Sequence, residues 1–326
     1  MPVNILPETI LAKSTTLWDL PENITIRLIN VSENLTYLLE VSGIYKSILR
    51  VHRPGYRTDI EIESELDWLD KLQSENLMAI PSAIRGKNGA RIQKIRSQKT
   101  GDVVNLVMFE FVEGYHPQED HDHIELSHIL GQIAATLHEQ VRRWSRPTGF
   151  YRQHWNLDTI LGENPVWGKW QCAPGITEEI STILTKAEKN LTQRITAFGK
   201  SSKNYGLIHA DMRLANILLN RNQITLIDFD DCGFGWFLYD FAASVSFIEN
   251  HPRLDDFKQG WLEGYRGVQS ISKSDENMID SFVMLRRLAL LAWVGSHSES
   301  DEPKLLAPYF AQETAEYAET YLIKSS

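Results

Sequence analysis

Cysteine is scarce in this chain of 326 residues, which contains only Cys172 and Cys232. Two cysteines so far apart in the sequence cannot form the dense disulfide framework on which small secreted domains depend. We therefore expect reduced thiols. A chain of this length can bury a hydrophobic core large enough to stabilise it without cross-links.

Long apolar segments are also missing. The longest apolar run near the C-terminus, Leu288–Val294, is too short to span a bilayer. Residues 1–15 contain polar and acidic interruptions and lack the basic-then-apolar pattern of a secretion signal. These absences predict a cytoplasmic protein that does not bind membranes.

Positive charge is in deficit, with 33 Lys and Arg residues against 43 Asp and Glu residues and a formal net charge of −10. A protein that binds nucleic acid through its general surface needs the opposite balance, because phosphate contacts dominate that binding. We therefore expect no nucleic-acid partner. A cationic small substrate is compatible with the acidic balance.

The most informative segment that is present runs from His209 to Asp228. It contains the spacing His-x-Asp-x-x-x-x-Asn, ending at Asn216, and Asp228 follows twelve residues later. Asp211 is suited to orient a hydroxyl nucleophile and accept its proton, while Asn216 and Asp228 offer the hard oxygen ligands that Mg²⁺ prefers. Protein kinases use the same spacing in their catalytic loop. The segment predicts phosphoryl transfer from a magnesium–nucleotide complex.

The flanks of this segment predict the local structure that carries it. Two apolar runs, Ile217–Leu219 and Ile224–Ile227, enclose a polar turn, which is a strand–turn–strand pattern. We expect this hairpin to keep the Asp and Asn side chains within reach of one metal ion.

These residues resemble the aminoglycoside phosphotransferase and choline kinase superfamily, particularly its homoserine-kinase-like or bacterial Ser/Thr-kinase-like branch. Asp230–Gly235, together with Asp228 before it, fits the D-x-D-D-x-x-x-G form with which that superfamily replaces the DFG triplet of protein kinases. Tyr239–Ala242 matches its next motif, and Gly131–His138 matches an upstream helix. The resemblance implies a kinase that uses ATP, or alternatively GTP, with Mg²⁺. It also implies the protein-kinase fold.

The order of sequence patterns agrees with that fold. Alternating strand-like segments over residues 24–53, a helical pattern over 59–73 and further strands over 80–112 are typical of a kinase N-lobe. Helical patterns dominate from about residue 123 onward, and the later ones predict helices near 238–249, 254–266, 275–296 and 305–324. We therefore predict an α+β, two-lobed, protein-kinase-like fold, with a β-rich N-lobe over 1–112 and a helical C-lobe over 113–326.

A kinase N-lobe holds the nucleotide phosphates with a cation on its third strand and an acid on the helix that follows. Arg50 is the candidate cation, because it lies on the opposite strand face from its apolar neighbours, and Glu65 is its candidate partner. A solvated strand arginine is the alternative interpretation of Arg50. Arg53 and Lys46 remain rivals for the cation, and Glu61 remains a rival for the acid.

A glycine-rich G-x-G-x-x-G loop is absent between the first two strands. The turn in its place contains Ser32, whose hydroxyl could contact phosphate together with backbone N–H groups. Met108–Gly114 looks like the segment joining the two lobes. There the Glu110 carbonyl and the Val112 amide would bind the adenine edge.

Arg213 is the second candidate catalytic residue, since a cation two residues after the proposed base can stabilise charge on the transferred phosphoryl group. A salt bridge to Asp230 or Asp231 is the alternative role for Arg213. We expect the acceptor among Asp211, Arg213, Asp230 and the C-terminal helices, where the acids would favour an acceptor that carries an amine.

The predicted function is transfer of the γ-phosphoryl group of ATP to a hydroxyl of a small molecule, with amino alcohols such as homoserine favoured by the resemblance. A protein Ser/Thr kinase is one alternative. The eleven residues between Asp228 and Asp240 leave little room for the activation segment that such a kinase needs. A nucleotide-binding pseudokinase is the other alternative, and the intact Asp211, Asn216 and Asp228 argue against it.

Overall fold

The computed structural model describes residues 8–96, 101–118, 124–221 and 223–325. The chain forms two compact units. Unit 1 comprises the described parts of Met1–Tyr115 together with Arg146–Arg152 and Leu218–Asp230, and unit 2 comprises the described remainder. Each unit consists of several separate stretches of the chain, whereas the predicted lobes, divided after residue 112, are each one continuous stretch. That boundary stays a prediction.

The first third of the chain contains six strands, three on each side of the helix predicted over 59–73, and further short strands lie at 154–155 and around the catalytic motif. The polar turn predicted between the two strands of the hairpin includes Asn222, which lies outside the described residues. The strands are β1 (Thr25–Val31), β2 (Asn34–Val41), β3 (Tyr45–His52), β4 (Ala83–Ile84), β5 (Gln93–Arg96), β6 (Val103–Glu110), β7 (His154–Trp155), β8 (Tyr205–Ile208), β9 (Ile217–Asn220), β10 (Gln223–Leu226) and β11 (Gly233–Trp236).

The helices are concentrated in the later part of the chain. They are α1 (Glu8–Ser14), α2 (Asp59–Ser74), α3 (Ile124–Arg143), α4 (Leu157–Leu161), α5 (Glu178–Phe198), α6 (Tyr239–Ser244), α7 (Leu254–Arg266), α8 (Lys273–Glu276), α9 (Ile279–Ser296), α10 (Asp301–Leu306) and α11 (Phe310–Lys324). The predicted α+β class, with a β-rich first part and a helical second part, is confirmed.

Unit 1 is built on one antiparallel sheet with the strand order β1-β2-β3-β6-β4, and β5 also pairs with β6. Side chains alternate between the two faces of each strand, so every second residue can be buried. One face packs in a hydrophobic core, whose buried members are Trp18, Tyr37, Leu39, Leu49, Val51, Ile95, Val104, Leu106 and Met108. Arg50 therefore lies on the other face of β3, because its neighbours Leu49 and Val51 belong to this core.

Helix α2 follows β3 and begins with a complete capping box. The Thr58 hydroxyl accepts a hydrogen bond from the Glu61 backbone N–H, and the Glu61 carboxylate accepts one from the Thr58 backbone N–H. This arrangement satisfies two N–H groups that the first helical turn leaves without partners. It fixes the start of α2, and hence the position of Glu65 one turn further on.

In unit 2, helices α3 and α7 cross with their backbones in close contact. A Cβ atom on Gly131 of α3 would lie 2.0 Å from the Trp261 carbonyl oxygen, and one on Gly264 of α7 would lie 1.8 Å from the His128 carbonyl oxygen. Only glycine allows helix axes to approach so closely. The Gly-x-x-x-Ala-x-Leu-His pattern of α3 thus has a packing function at its first residue.

Helix α9 is buried on almost all sides, which explains the apolar run within it. Its buried residues extend from Ile279 to Val294 and include two arginines, Arg286 and Arg287. Within the described residues, no helix is long and apolar enough to cross a membrane.

Three predicted helices differ from those observed. The helix predicted near 238–249 ends at Ser244, and shortly after it Phe247 adopts the left-handed backbone conformation (φ 70°), which a helix cannot contain. The segments predicted near 275–296 and 305–324 are each divided into two helices, α8 with α9 and α10 with α11.

Candidate active site

The catalytic loop of unit 2 follows strand β8 and is held at its start by a buried aspartate. Asp240 accepts hydrogen bonds from the backbone N–H groups of Ala210 (2.7 Å) and His209 (3.3 Å), and its Oδ2 lies 2.9 Å from Nε2 of His138. Ala210 has the left-handed conformation (φ 66°), which these bonds stabilise. Asp240 therefore has a structural role, since it holds the backbone at the start of the loop.

Asp211, the proposed base, is held by three side chains. Its Oδ1 accepts a hydrogen bond from Nη2 of Arg286 at 2.6 Å, and its Oδ2 accepts one from Nδ2 of Asn216 at 2.6 Å. Nε of Arg213 lies 3.5 Å from Oδ2. Burial alone would raise the pKa of Asp211, but the positive charges of Arg213 and Arg286 outweigh it and lower that pKa. The Asp211 carboxylate is therefore ionised at neutral pH, as the proposed role of a base requires.

Asn216 is oriented by the same loop. Its amide nitrogen Nδ2 donates to the backbone oxygen of Asp211 at 2.8 Å as well as to the Asp211 carboxylate. Because both amide hydrogens are directed at Asp211, Oδ1 is the atom of Asn216 that can ligate a cation. A neutral oxygen of this kind suits Mg²⁺.

Arg213 has a partner that the sequence did not suggest. Its Nη1 lies 2.6 Å from Oε1 of Glu302 on α10, and its guanidinium carbon lies 5.7 Å from the ring centroid of Phe247. Arg213 therefore links the carboxylates of Asp211 and Glu302. Its predicted contact with the transferred phosphoryl group stays a prediction.

In unit 1, Arg50 is a buried ion-pair residue and not a solvated strand arginine. Its Nη1 lies 2.8 Å from Oε1 of Glu65 and 3.3 Å from Oδ1 of Asp230, and its guanidinium lies over the ring of Phe109. Burial would lower the pKa of Arg50, but the nearby charges of Glu65, Asp228 and Asp230 raise it above its ordinary value. Arg50 thus remains charged in a buried acidic surrounding.

The rivals of Arg50 and Glu65 have other partners. Arg53 donates to the backbone oxygen of Ser32 at 2.8 Å, and the largely exposed Lys46 pairs with Glu113 at 2.9 Å. Glu61 caps helix α2. Arg50 with Glu65 is the pair whose geometry suits the proposed phosphate-binding role.

The prediction that Asp230 helps to bind an amine acceptor is wrong. Asp230 is only 5% exposed and lies among cations, with Arg50 at 3.3 Å and Arg57 at 3.8 Å. Burial would raise the pKa of Asp230, but Arg57 and Arg50 lower it well below its ordinary range. Its charge is therefore balanced inside unit 1. The corresponding role of Asp231 stays a prediction.

His52 also lies beside Asp230, with Nδ1 3.8 Å from Oδ1. Burial, reinforced by Arg50, Arg57 and Arg152, lowers the pKa of His52 to about 3. His52 is therefore neutral at physiological pH, and the positive charge facing Asp230 comes from arginines.

Asp228, the second proposed magnesium ligand, has the left-handed backbone conformation (φ 61°). Aspartate and asparagine tolerate this conformation better than most residues, and such strain is often found at functional sites. Within the described residues, no group of three or more His, Cys, Asp or Glu side chains is placed to hold a metal ion. A carboxylate such as that of Asp228 is a usual ligand for Mg²⁺ that is bound together with substrate phosphates. The roles of Asp228 and Asn216 as metal ligands stay a prediction.

The remaining predicted nucleotide contacts lie in unit 1. Ser32 is in the turn between β1 and β2, and its backbone N–H donates to the Asn34 oxygen at 3.0 Å, so its hydroxyl is the group that could contact phosphate. Glu110 ends β6. Val112 follows in an irregular connector that leads to a bridge between Tyr115 and Leu219. Their contacts with adenine stay a prediction.

Replacing Arg50 with alanine should raise the KM for ATP more than the KM for the acceptor, because the proposed role of Arg50 is to hold the nucleotide phosphates. Glu65→Ala should reproduce part of this effect, and Arg50→Lys, which keeps the charge but not the fork geometry, should be intermediate. Steady-state kinetics with each substrate varied in turn measures both constants. Arg53→Ala is the control, and an effect of Arg53→Ala without one of Arg50→Ala would contradict the assignment.

Comparison with known proteins identifies the family of the chain. The family model described as "Phosphotransferase enzyme family" matches residues 25–271. Amicoumacin kinase of Bacillus subtilis (strain 168) is 22% identical over 254 residues, which cover 74% of this chain and 72% of that protein.

Solved structures extend the comparison to the whole chain. The microcompartment-associated aminopropanol kinase is 42% identical, with a TM-score of 0.89 and 98% of each chain covered. Amicoumacin kinase hAmiN, in complex with AMP-PNP and Ca²⁺, shares the fold at 20% identity, with a TM-score of 0.78 over 96% of this chain and 94% of that one. The chain belongs to the phosphotransferase enzyme family and is a kinase that uses ATP and Mg²⁺ to phosphorylate a hydroxyl group of a small molecule.

Proposed function

We propose that the acceptor is a short amino alcohol that carries no carboxylate, such as an aminopropanol. The support is the contact of Arg213 with both Asp211 and Glu302. The carboxylate of Glu302 on α10 and the carboxylate of Asp211, the proposed base, are therefore separated by about the width of one guanidinium group. A short amino alcohol has its amine at a comparable distance from its hydroxyl, so Glu302 can hold the ammonium group while Asp211 receives the hydroxyl.

Charge supports this class of acceptor over homoserine. The arginines in contact with the Asp211 carboxylate already hold carboxylates, since Arg286 binds Asp211 and Arg213 binds both Asp211 and Glu302. An acceptor with its own carboxylate would have to compete for these cations. An ammonium group on the acceptor is attracted by the carboxylates of Asp211 and Glu302. This electrostatic attraction is worth roughly a kcal/mol or more when the charges are partly desolvated. The sequence similarity to the aminopropanol kinase points the same way.

The reaction forms a bond between the acceptor oxygen and the γ-phosphorus and breaks the bond between that phosphorus and the oxygen that leaves with ADP. The hydroxyl proton passes to Asp211, which is ionised. The proposed ligands Asn216 and Asp228 would hold Mg²⁺, which neutralises charge on the phosphates. The acceptor leaves as a phosphate monoester.

A protein acceptor is less well supported. The residues after Asp228 form a short 3₁₀ turn, Phe229–Asp231, and then strand β11, which pairs with β7 and β8. Helix α6 begins at Tyr239, directly after. The segment is therefore occupied by secondary structure and does not form the long ordered platform that binds a protein substrate.

The test is competition kinetics with a panel that contains aminopropanols, ethanolamine, homoserine, an aminoglycoside and a folded protein. We expect an aminopropanol to have the highest kcat/KM. Glu302→Gln should raise the KM for the amino alcohol and leave the KM for ATP unchanged, whereas Glu299→Gln, an exposed control, should change neither. A preference for homoserine or for the protein would reject the proposed acceptor class.

We also propose a cytoplasmic location without a nucleic-acid partner. The enzyme depends on ATP, neither Cys172 nor Cys232 forms a disulfide, and the net charge is −10. These properties are typical of small-molecule enzymes of the cytosol.

A further inference from the structure

Arg286 is a buried cation that donates a hydrogen bond to Asp211, the proposed base. Its side chain is 2% exposed, its Nη2 donates to Oδ1 of Asp211 at 2.6 Å, and its Nε donates to the hydroxyl of Ser246 at 3.1 Å. The rings of Trp167 and Tyr239 lie near the guanidinium, with centroids at 5.3 and 5.7 Å. These contacts fix the plane and the position of the guanidinium group.

The next residue, Arg287, is equally buried but serves a different part of unit 2. Its Nη1 lies 2.6 Å from Oε2 of the fully buried Glu249, and its Nε donates to the hydroxyl of Thr314 at 3.1 Å. The two arginines lie on the same helix, carry the same functional group and are buried to the same degree. They differ in that Arg286 contacts Asp211, whereas Arg287 ties α9 to the segment after α6 and to α11.

We propose that Arg286 is a positioning residue for phosphoryl transfer, which acts by fixing the carboxylate of Asp211. The inference rests on the proposed role of Asp211 as the base. Arg286 holds Oδ1 and Asn216 holds Oδ2, so both oxygens are anchored and the carboxylate cannot rotate about its Cβ–Cγ bond. The Asp211 carboxylate therefore keeps one orientation, in which an oxygen lone pair can accept the proton of the incoming hydroxyl group.

The cost of losing such an anchor can be stated. A misplacement of about 1 Å at a reacting group can lower a rate by roughly 10²-fold. Asn216 and Arg213 would still contact Asp211 without Arg286, so the carboxylate would stay in the loop but would gain freedom. We therefore expect the loss to fall on kcat, while the KM for ATP changes little.

The test is a double-mutant cycle between Arg286 and Asp211. Arg286→Met should lower kcat by about 10²-fold in the otherwise unchanged enzyme. In an Asp211→Asn background the same substitution should lower kcat no further, because a residue that acts only through another has no effect once that other is removed. A merely structural arginine would lower activity equally in both backgrounds, and that result would overturn the proposal.

Conservative variants provide a matched control and a safeguard against misfolding. Arg286→Lys keeps the charge but cannot reach Ser246 and Asp211 together, and should lower kcat by about tenfold. Arg287→Lys, on the same helix, should leave kcat within about threefold of the unchanged enzyme. Calorimetry with Mg-ATP and thermal unfolding show whether each variant is folded. If Arg286→Met does not fold, the same cycle is measured with Arg286→Lys.

The outcomes separate this inference from the assignment of the base. Equal losses for Arg286→Lys and Arg287→Lys would overturn the positioning role, as would a folded Arg286→Met variant with wild-type kcat. If Asp211→Asn retained its turnover, the assignment of the base would fail first. A large loss in Asp211→Asn with no loss in Arg286→Met would reject the role of Arg286 alone.

Discussion

Replacing Asp211 with asparagine should lower turnover by ~10²–10⁴-fold, the usual cost of losing a general base. Mg-ATP should still bind with nearly unchanged affinity, because the proposed nucleotide contacts are made by other residues. The substitution keeps the size of the side chain and removes its charge and its ability to accept the proton. Turnover with an amino alcohol and calorimetry with Mg-ATP measure the two effects separately.

The structure adds a detail to this experiment. Oδ1 and Oδ2 of Asp211 both accept hydrogen bonds, from Arg286 and Asn216, so the amide of an asparagine must face one of these donors with its own N–H groups. A small loss of thermal stability is therefore expected. A variant that keeps more than about a third of wild-type turnover would contradict the assignment, since even a weak general base contributes far more than that factor.

Replacing Asp228 with asparagine should weaken Mg-ATP binding and turnover together. A metal ligand acts in the ground state and in the transition state, and a bound metal supplies several kcal/mol of charge stabilisation, so a loss of about 10²-fold or more is expected. Asparagine is the better substitution than alanine because Asp228 has a positive φ of 61°. Asparagine accepts that conformation, and the effect then reports on charge and not on backbone strain.

Raising the Mg²⁺ concentration should partly restore activity in Asp228→Asn, because a weaker site can be filled by mass action. No such recovery is expected for Asp211→Asn, whose defect is in proton transfer. Unchanged Mg-ATP affinity in Asp228→Asn would remove Asp228 from the metal site.

The parts of the site that were predicted from sequence depend on short-range patterns. Asp211, Asn216 and Asp228 are close in sequence, and their spacing within a strand–turn–strand segment is specific. The pair of Arg50 with Glu65 required only the alternation of a strand and the turn of the next helix, and the two residues are separated by 15 positions. Local periodicity is enough to place such residues on the correct faces.

The parts that were missed depend on long-range packing. Arg286 and Asp211 are in contact although they are 75 residues apart in the sequence, and Glu302 and Arg213 are in contact although they are 89 residues apart. One signal was available for Arg286, which lies just before the apolar run of α9, because an arginine is almost never fully buried unless it has a partner. The partner itself could not be identified without the fold.

Asp230 shows the opposite error. Its position beside the metal-binding motif suggested an acid facing the acceptor, but Arg50, Arg57 and Arg152 approach it from two separate segments of unit 1. Only the folded chain brings these arginines together. The interleaving of Arg146–Arg152 and Leu218–Asp230 into unit 1 has the same cause, since tertiary contacts define it.

The most direct test of the account is ³¹P NMR of the reaction of the enzyme with Mg-ATP and an aminopropanol. We predict one new phosphate monoester resonance, from the aminopropanol phosphorylated on its hydroxyl oxygen. This product should form in equal amount to ADP, and its resonance should be absent with the Asp211→Asn variant. Formation of ADP with inorganic phosphate alone, or of a phosphorylated protein with the aminopropanol unchanged, would contradict transfer to a small amino alcohol.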